Sequence, residues 1–358
     1  VIAHWRGGEL VLENYATRIS VAAPAAAAEV LDVCTEWRPV AAILARVDRF
    51  DPASVRRLVG ALAAQTMLHR SDAPPDERET AMAAWGGWNP AAGFFHSATK
   101  DVRYPFSPAE SDRRTRAKAK AIPAPPPAKR YPRTRMIALP PPRRDGELAA
   151  VLQRRRTWRE FARAPMARAD LATLLGLTWG IQRRSTIPGQ GEVVFKTSPS
   201  GGARHPIEAY LLALRVAGVE RGWYHYDAVA HRLERLPGRG ASASAASLLG
   251  GQTWFGDAAA VVFMTAVFAR EQWRYASPRA YRAVLLDAGH LCQTFCLLAT
   301  SLDLAPFCTM ALDDRAIERA LGIDGISESV LYAAGVGTKK PGATSGAWPA
   351  VFRSGPTD

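Results

Sequence analysis

Between Arg113 and Arg144 the chain holds eleven Lys or Arg residues, eight prolines and no acid. Pro125-Pro126-Pro127 and Pro140-Pro141-Pro142 lack the backbone donors that helices and sheets need, and the like charges repel one another. The stretch reads as an extended, solvated linker, so the 358 residues must fold on either side of it. The expected division is 1–72, 73–145 and 146–358, with the middle part an irregular segment followed by the linker. Most of the formal charge of +13 lies in that linker. Aromatic residues are nearly absent from it, so it offers no base-stacking platform and does not point to nucleic acid. A solvated tether, or an electrostatic contact with an acidic peptide or partner, accounts for it.

With 48% hydrophobic and 22% charged residues, the remainder is globular in composition. No apolar run reaches the roughly 18 residues that span a bilayer, so no membrane partner is expected. Val1–Leu10 has no signal-peptide layout, and the absence of an initiator Met implies a few trimmed residues. Cys34, Cys292, Cys296 and Cys308 form neither a disulfide framework nor a zinc spacing. Cys292 and Cys296 stand one helical turn apart in an apolar run and read as small hydrophobes, so no metal is expected. A reducing cytoplasm is the matching compartment.

Residues 1–72 predict a small winged-helix-like domain. Strand-like runs at Leu10–Leu12 and Ile19–Val21 precede helical patterns at Ala25–Cys34, Pro39–Val47 and Asp51–Gln65, and Thr66–Leu68 reads as a short strand-like exit. Asp51 before Pro52 is a helix-start signal. A helix is expected at Glu77–Trp85, and the aromatics of Trp88-Asn89-Pro90 and Phe94-Phe95-His96 need something to pack against. From Gly146 helix and strand alternate. Helices are expected at 147–156, 169–180, 281–302 and 314–321. Strands are expected at 208–215, 222–226, 232–236, 258–268, 307–310 and 330–336. The helix from Tyr281 is apolar on most faces, which suits a central position or a dimer interface.

Four stretches carry candidate chemistry. Arg155-Arg156-Thr157-Trp158-Arg159-Glu160-Phe161 gathers three guanidiniums and a hydroxyl at a helix end, a donor set for a phosphate or a polar ring edge, or simply a basic helix terminus. Ser198-Pro199-Ser200-Gly201-Gly202-Ala203-Arg204-His205-Pro206 allows close backbone approach to a flat ligand. Trp273-Arg274-Tyr275 sets a phenol beside a cation, a pairing that favours the phenolate. His290, inside the apolar helix, reads as a hydrogen-bonded core histidine. Gly335-Val336-Gly337-Thr338-Lys339-Lys340 is a strand ending in a glycine turn with two lysines, able to close over a phosphate or to form a basic tail.

In this order the stretches resemble the SagB-type (McbC-like) flavin dehydrogenases of the nitroreductase superfamily, and the resemblance covers nearly the whole chain. RRTWREF is similar to that family's RRSxRxF, SPSGGARHPIEAYLL to PSxGxxxPxExYL, and AYRAVLLDAGHLCQTF to GYRxxLLxAGHxxQN; WNPAAGFFHSATKD resembles a stretch that often precedes the catalytic domain. The resemblance implies an α+β fold, a mixed and mainly antiparallel sheet flanked by helices, and a homodimer binding FMN at its interface. Carried over by position, Arg155, Arg156, Thr157 and Arg159 would hold the phosphate and the polar side of the ring. Pro199, Ser200, Gly201 and Gly202 would lie on the flavin from the second subunit. Thr309, Met310 and Ala311 would present backbone to the ring, and Lys339 would approach the phosphate. Where relatives carry an adjacent Lys-Tyr pair for proton transfer this chain has Arg274-Tyr275, and Thr294 stands where Asn is usual. Arginine keeps its proton, which leaves Tyr275 as the base and Arg274 as its electrostatic partner.

The implied reaction is oxidation of thiazoline or oxazoline rings in a ribosomally made peptide, with oxygen reoxidising the flavin. The N-terminal domain would take the peptide's leader by strand addition, and a cyclodehydratase would be a further partner. Two alternatives stand beside it. One is a flavin oxidase acting on a ring or amino acid tethered to a carrier protein; the other is a non-catalytic scaffold binding peptide or nucleic acid.

Overall fold

The computed structural model describes residues 1–102, 108–122, 125–129, 137, 139–188, 191–237 and 244–343. They divide into two compact units: 1–100 together with 268–282, and 101–267 together with 283–358.

The first unit opens with three antiparallel strands, β1 (Ile2–Arg6), β2 (Glu9–Asn14) and β3 (Ile19–Ala22), in the order β1-β2-β3. Gly7 and Gly8 take φ of 60° and 88°, the two positive values that a tight two-residue hairpin turn requires. β1 is absent from the sequence reading. Its IAHWR leaves three of five side chains exposed and makes no apolar run. Helices α1 (Ala26–Val33), α2 (Val40–Arg46) and α3 (Pro52–Ala64) follow where expected. Asp51 caps α3 by accepting from the Ser54 N–H at 2.8 Å. Leu12, Ala27, Val30, Ile43, Val55 and Leu62 close the core over the sheet.

The strand expected at 66–68 does not form. Thr66 N–H bonds to Ala63 O and Met67 N–H to Leu62 O, with Thr66 at φ 59°. This is the left-handed pair of bonds that ends a helix, and it uses the donors a strand would need. Met67 instead drops into the core. α4 (Glu77–Ala83) and α5 (Ala91–Thr99) complete the N-terminal part.

In the second unit the linker is not wholly extended: α6 (Pro108–Ala121) runs into it, and its described side chains are exposed from Arg113 onward. Much of the remaining Pro/Arg-rich stretch lies outside the described residues. Then come α7 (Glu147–Arg154), β4 (Phe161–Ala162), α8 (Arg168–Thr178), the hairpin β5 (Arg183–Ile187) and β6 (Gly191–Phe195), β7 (Ile207–Ala213), β8 (Gly222–Asp227), β9 (Arg232–Arg235), α9 (Ala245–Leu248) and β10 (Ala260–Val267). After β10 the chain gives α10 (Phe268–Arg274) to the first unit, then returns with α11 (Tyr281–Ser301), β11 (Ala305–Thr309), α12 (Asp314–Leu321) and β12 (Glu328–Lys339).

The main sheet has seven strands in the order β11-β12-β10-β7-β8-β9, with β4 on β12, and all its ladders are antiparallel. A lone parallel bridge, Met166 to Val216, lies outside it. The architecture is α+β, a mainly antiparallel sheet flanked by helices, as the sequence implies. β10 is central and buried on both faces. Around it Phe307 stacks on Phe255 at 3.8 Å and meets Phe161 at 5.6 Å.

Those rings explain the glycines of β12. A Cβ on Gly335 would stand 2.0 Å from Phe307 Cζ, and one on Gly337 2.6 Å from Phe161 Cδ1. The expected glycine turn is therefore continuous strand, and β12 runs on to Lys339.

α11 also corrects the reading of apolar runs. With its lead-in turn, Pro278–Ser301, it is long and apolar enough to cross a membrane by length and composition, but half of that window is buried within the fold. Phe295 on it packs against Trp179 at 5.8 Å, as in a core helix.

Candidate functional site

The arginine stretch is docked at the end of β11. α7 stops because Arg155 turns to extended backbone (φ −56°, ψ 123°). Trp158 N–H then donates to Pro306 O at 2.9 Å, and Phe161 pairs with Lys339 in the β4–β12 ladder. The Lys339 ammonium lies 5.5 Å from the centre of the Trp158 ring and is ion-paired with Asp303. Asp303 is largely exposed, so water competes with that pair. Burial pushes the Arg159 guanidinium below its ordinary pKa, so this cation is held partly out of water. Arg156 points elsewhere: its guanidinium donates to Gln153 O at 2.7 Å and Arg155 O at 2.8 Å, closing the carbonyl end of α7. At the far end of β11, Thr309 Oγ1 accepts from Ala311 N–H at 3.1 Å and Gln252 Nε2 at 3.0 Å, while Met310 is exposed.

The glycine turn is built just as tightly. Gly202, Ala203 and His205 all adopt positive φ, at 55°, 54° and 46°, and two of these are not glycine. Such strain persists only where neighbours enforce it. Ser200 Oγ accepts from His205 N–H at 2.8 Å, and His205 Nε2 bonds to Val194 O at 3.1 Å. α11 holds the turn from one flank: His290 Nδ1 reaches Pro199 O at 3.3 Å and Thr294 Oγ1 meets Ser198 Oγ at 2.7 Å. Asp287, one turn earlier, is buried against Ser200 and Gly201. Burial raises its carboxyl pKa, outweighing hydrogen bonds from the Ser200 hydroxyl and the Gly201 N–H and the nearby His290. The sequence reading places Asp287 inside a motif but assigns it nothing. Its neighbours Ser200 and Gly201 lie 86 or more positions away, too far for any local pattern to register.

Asp287, His290 and Thr294 share one flank of α11 at helical spacing, and Cys292 and Cys296 occupy the opposite flank, where Arg155 acts electrostatically on Cys296 and Cys308. Between the flanks runs an exposed stripe of Leu285, Leu286, Gly289, His290 and Gln293. Within one chain, then, Trp158 of the arginine stretch and Lys339 come together at one end of β11, Thr309 stands at its other end, and the Pro199–Gly202 turn is held by the Asp287 flank of α11.

Arg274 and Tyr275 belong to the other unit. There Trp88 Nε1 donates to Tyr275 O at 2.7 Å, and the Arg274 guanidinium lies 5.7 Å from the Tyr275 ring centre. His96 Nδ1 meets Tyr281 Oη at 2.9 Å, and Phe268 stacks on Tyr281 at 5.6 Å. The aromatics around Trp88 and His96 thus pack on the 268–282 segment and fix the backbone that carries Arg274 and Tyr275. The pairing is invisible in sequence, since some 185 positions separate the partners.

A model of the nitroreductase family matches residues 152–338, more than half of the chain. MJ1384 of Methanocaldococcus jannaschii, which carries a nitroreductase name, is 31% identical over 177 residues, 49% of this chain and 85% of that protein. The trifolitoxin-processing protein TfxB of Rhizobium leguminosarum bv. trifolii is 34% identical over 170 residues, 46% of this chain. The chain spans less than half of TfxB, 45% of its length. A crystal structure of a nitroreductase-type protein from Anabaena variabilis is 28% identical and superposes with a TM-score of 0.46, covering 54% of this chain and 38% of that one. The chain belongs to the nitroreductase family.

Proposed function

We propose that the chain is an FMN-dependent dehydrogenase that oxidises thiazoline or oxazoline rings in a ribosomally made peptide, acting as a homodimer in a reducing cytoplasm. The observation that carries the flavin is the donor cluster at the end of β11. Among the described residues Arg155 has no carboxylate partner, Arg159 is partly dehydrated, and Lys339 holds only an exposed, replaceable acid. That chemistry fits a phosphate and the polar edge of a ring. Arg155, Thr157, Arg159 and Lys339 would hold the group; Thr309, Met310 and Ala311 would line it, and Arg156 would support the helix end. Bound FMN would supply a two-electron acceptor that oxygen restores.

The position of the glycine turn supports the homodimer. Pro199, Ser200, Gly201 and Gly202 flank the exposed stripe of α11 on the side away from the arginines, and nothing stands within 4 Å of a Cβ built on Gly289. A second copy packed along that stripe would set its glycine turn against the first copy's arginine cluster. Asp287 would keep that turn rigid.

Tyr275 is the proposed base, taking the proton from the ring carbon, with the Arg274 guanidinium 5.7 Å from its ring centre as electrostatic partner. The substrate reading draws on TfxB, whose name is that of a trifolitoxin-processing protein. In the N-terminal unit a groove of about 1160 Å³ runs beside β1, lined by Ile2, Trp37, Val40, Val59 and Met67 with Arg38, Arg56 and Arg70. An acidic leader adding a strand at β1 would place its charges against those arginines. A cyclodehydratase supplying the ring would be a further partner.

Purified full-length chain is expected to be yellow and dimeric, and Tyr275→Phe to keep the flavin while losing turnover of an azoline peptide. Turnover surviving in Tyr275→Phe would remove the base. A colourless chain that FMN cannot reconstitute, or a monomer that retains flavin, would remove the site as drawn.

A further inference from the structure

Three sulfurs from distant parts of the second unit converge where α11 passes β11. Cys292 and Cys296 are buried one turn apart on α11, Cys308 is half-buried on β11, and the three Sγ atoms all lie within 4.8 Å of one another. Metal–thiolate bonds of about 2.3 Å set three sulfurs round one ion at the corners of a triangle about 4 Å on a side. The cluster is therefore of the right size. Among the described residues no His, Asp or Glu joins it, so the donor set is sulfur alone. Zinc and iron–sulfur centres are typically completed by four ligands, whereas thiolates in smaller number suit a soft d10 ion. We propose that Cys292, Cys296 and Cys308 form a three-thiolate binding site for copper(I).

The local structure supports this over three thiols merely filling space. The i, i+4 spacing aims two sulfurs along one flank of the helix, and the β11–β12 register brings up the third, with Cys308 opposite Ala334. The surroundings are not purely apolar. The Tyr332 hydroxyl is a hydrogen-bond partner of Cys308 and Cys292, and Arg155 acts on Cys296 and Cys308. Binding would displace three thiol protons to solvent and move no electrons. Three thiolates around a monovalent ion carry two net negative charges, which the Arg155 guanidinium and the Tyr332 donor partly offset. Half-exposed Cys308 leaves the ion a way in, and a bound ion would pin α11 to β11 just before Thr309.

The test uses the reduced full-length chain, titrated anaerobically with copper(I) against a chromophoric copper(I) chelator. One equivalent should be withheld from the chelator, and X-ray absorption should show three sulfur neighbours. Cys292→Ser and Cys308→Ser should each weaken binding by more than about 100-fold, beyond the roughly 10- to 100-fold typical of a residue that only supports a ligand. Cys34→Ser should bind as the unaltered chain does. The absorption spectrum needs no variant, so misfolding of one cannot mask the result. No copper withheld, copper bound through nitrogen or oxygen, or unchanged affinity in a folded Cys308→Ser would overturn the proposal.

Discussion

The three-stranded and seven-stranded sheets of this protein solve burial in opposite ways. In the second unit β10 has neighbours on both edges and side chains buried on both faces: its AVVFMTAV carries no charge, and β7 and β12 use its backbone on either side. In the first unit β1 and β3 each pair only with β2, and their burial alternates or is largely lost. A strand enclosed on four sides is specified by composition as well as by register. An edge strand is specified by one face and a turn, and it keeps free backbone donors and acceptors that another chain can use. The difference separates a part built for rigidity from a part open to strand addition.

The contrast is sharpest in what each sheet should lose on substitution. Phe307→Ala removes a ring stacked on Phe255 and pressed against Gly335, and should cost about 3–5 kcal/mol in denaturant unfolding. A loss under about 1 kcal/mol would show that the β11–β12 core is not rigid. A smaller effect is expected at the outer strands of the same sheet. His225 bridges Glu208 and Glu234 at 3.0 Å each, and these bonds, Glu208 foremost, raise its pKa from 6.5 to about 9 despite burial. Its stabilising contribution is whole below pH 6.5 and is lost as pH climbs through about 9. Thermal melts should fall across that window in the native chain and flatten in His225→Gln; parallel curves would refute the bridge. The smallest effect belongs to the edge: Trp5 on β1 is 72% exposed, and Trp5→Ser should shift stability by no more than about 0.5 kcal/mol. A large loss there would mean that β1 is covered in solution.

Legibility in the sequence follows the same division. β10, the β8–β9 hairpin, α11 and α12 stand where their periodicity puts them, because each buries a face that repeats along the chain. β1 and the β5–β6 hairpin escaped: IAHWR and RRSTI leave no apolar run, and β6 offers only the three residues Val193–Phe195. Thr66–Leu68 looked like a strand and became a helix cap, its donors already committed to Ala63 and Leu62. Of the candidate site, the arginine stretch and the closing lysine are legible as donor types, and the structure adds their shared docking on β11 and β12. The glycines of β12 were legible only as glycines. Their purpose, room for the rings of Phe307 and Phe161, needed the partner strands.

Sequence alone therefore determines most of the succession of helices and strands and the residue types available for chemistry, since these depend on neighbours a few positions apart. Tertiary structure alone decides which of them meet. Asp287 under the Ser200 turn, Trp88 beneath Tyr275, and Cys308 beside Cys292 and Cys296 are unions of distant segments. Their distances are set by strand register and helix rotation, which the packing of the whole core fixes and no local pattern records.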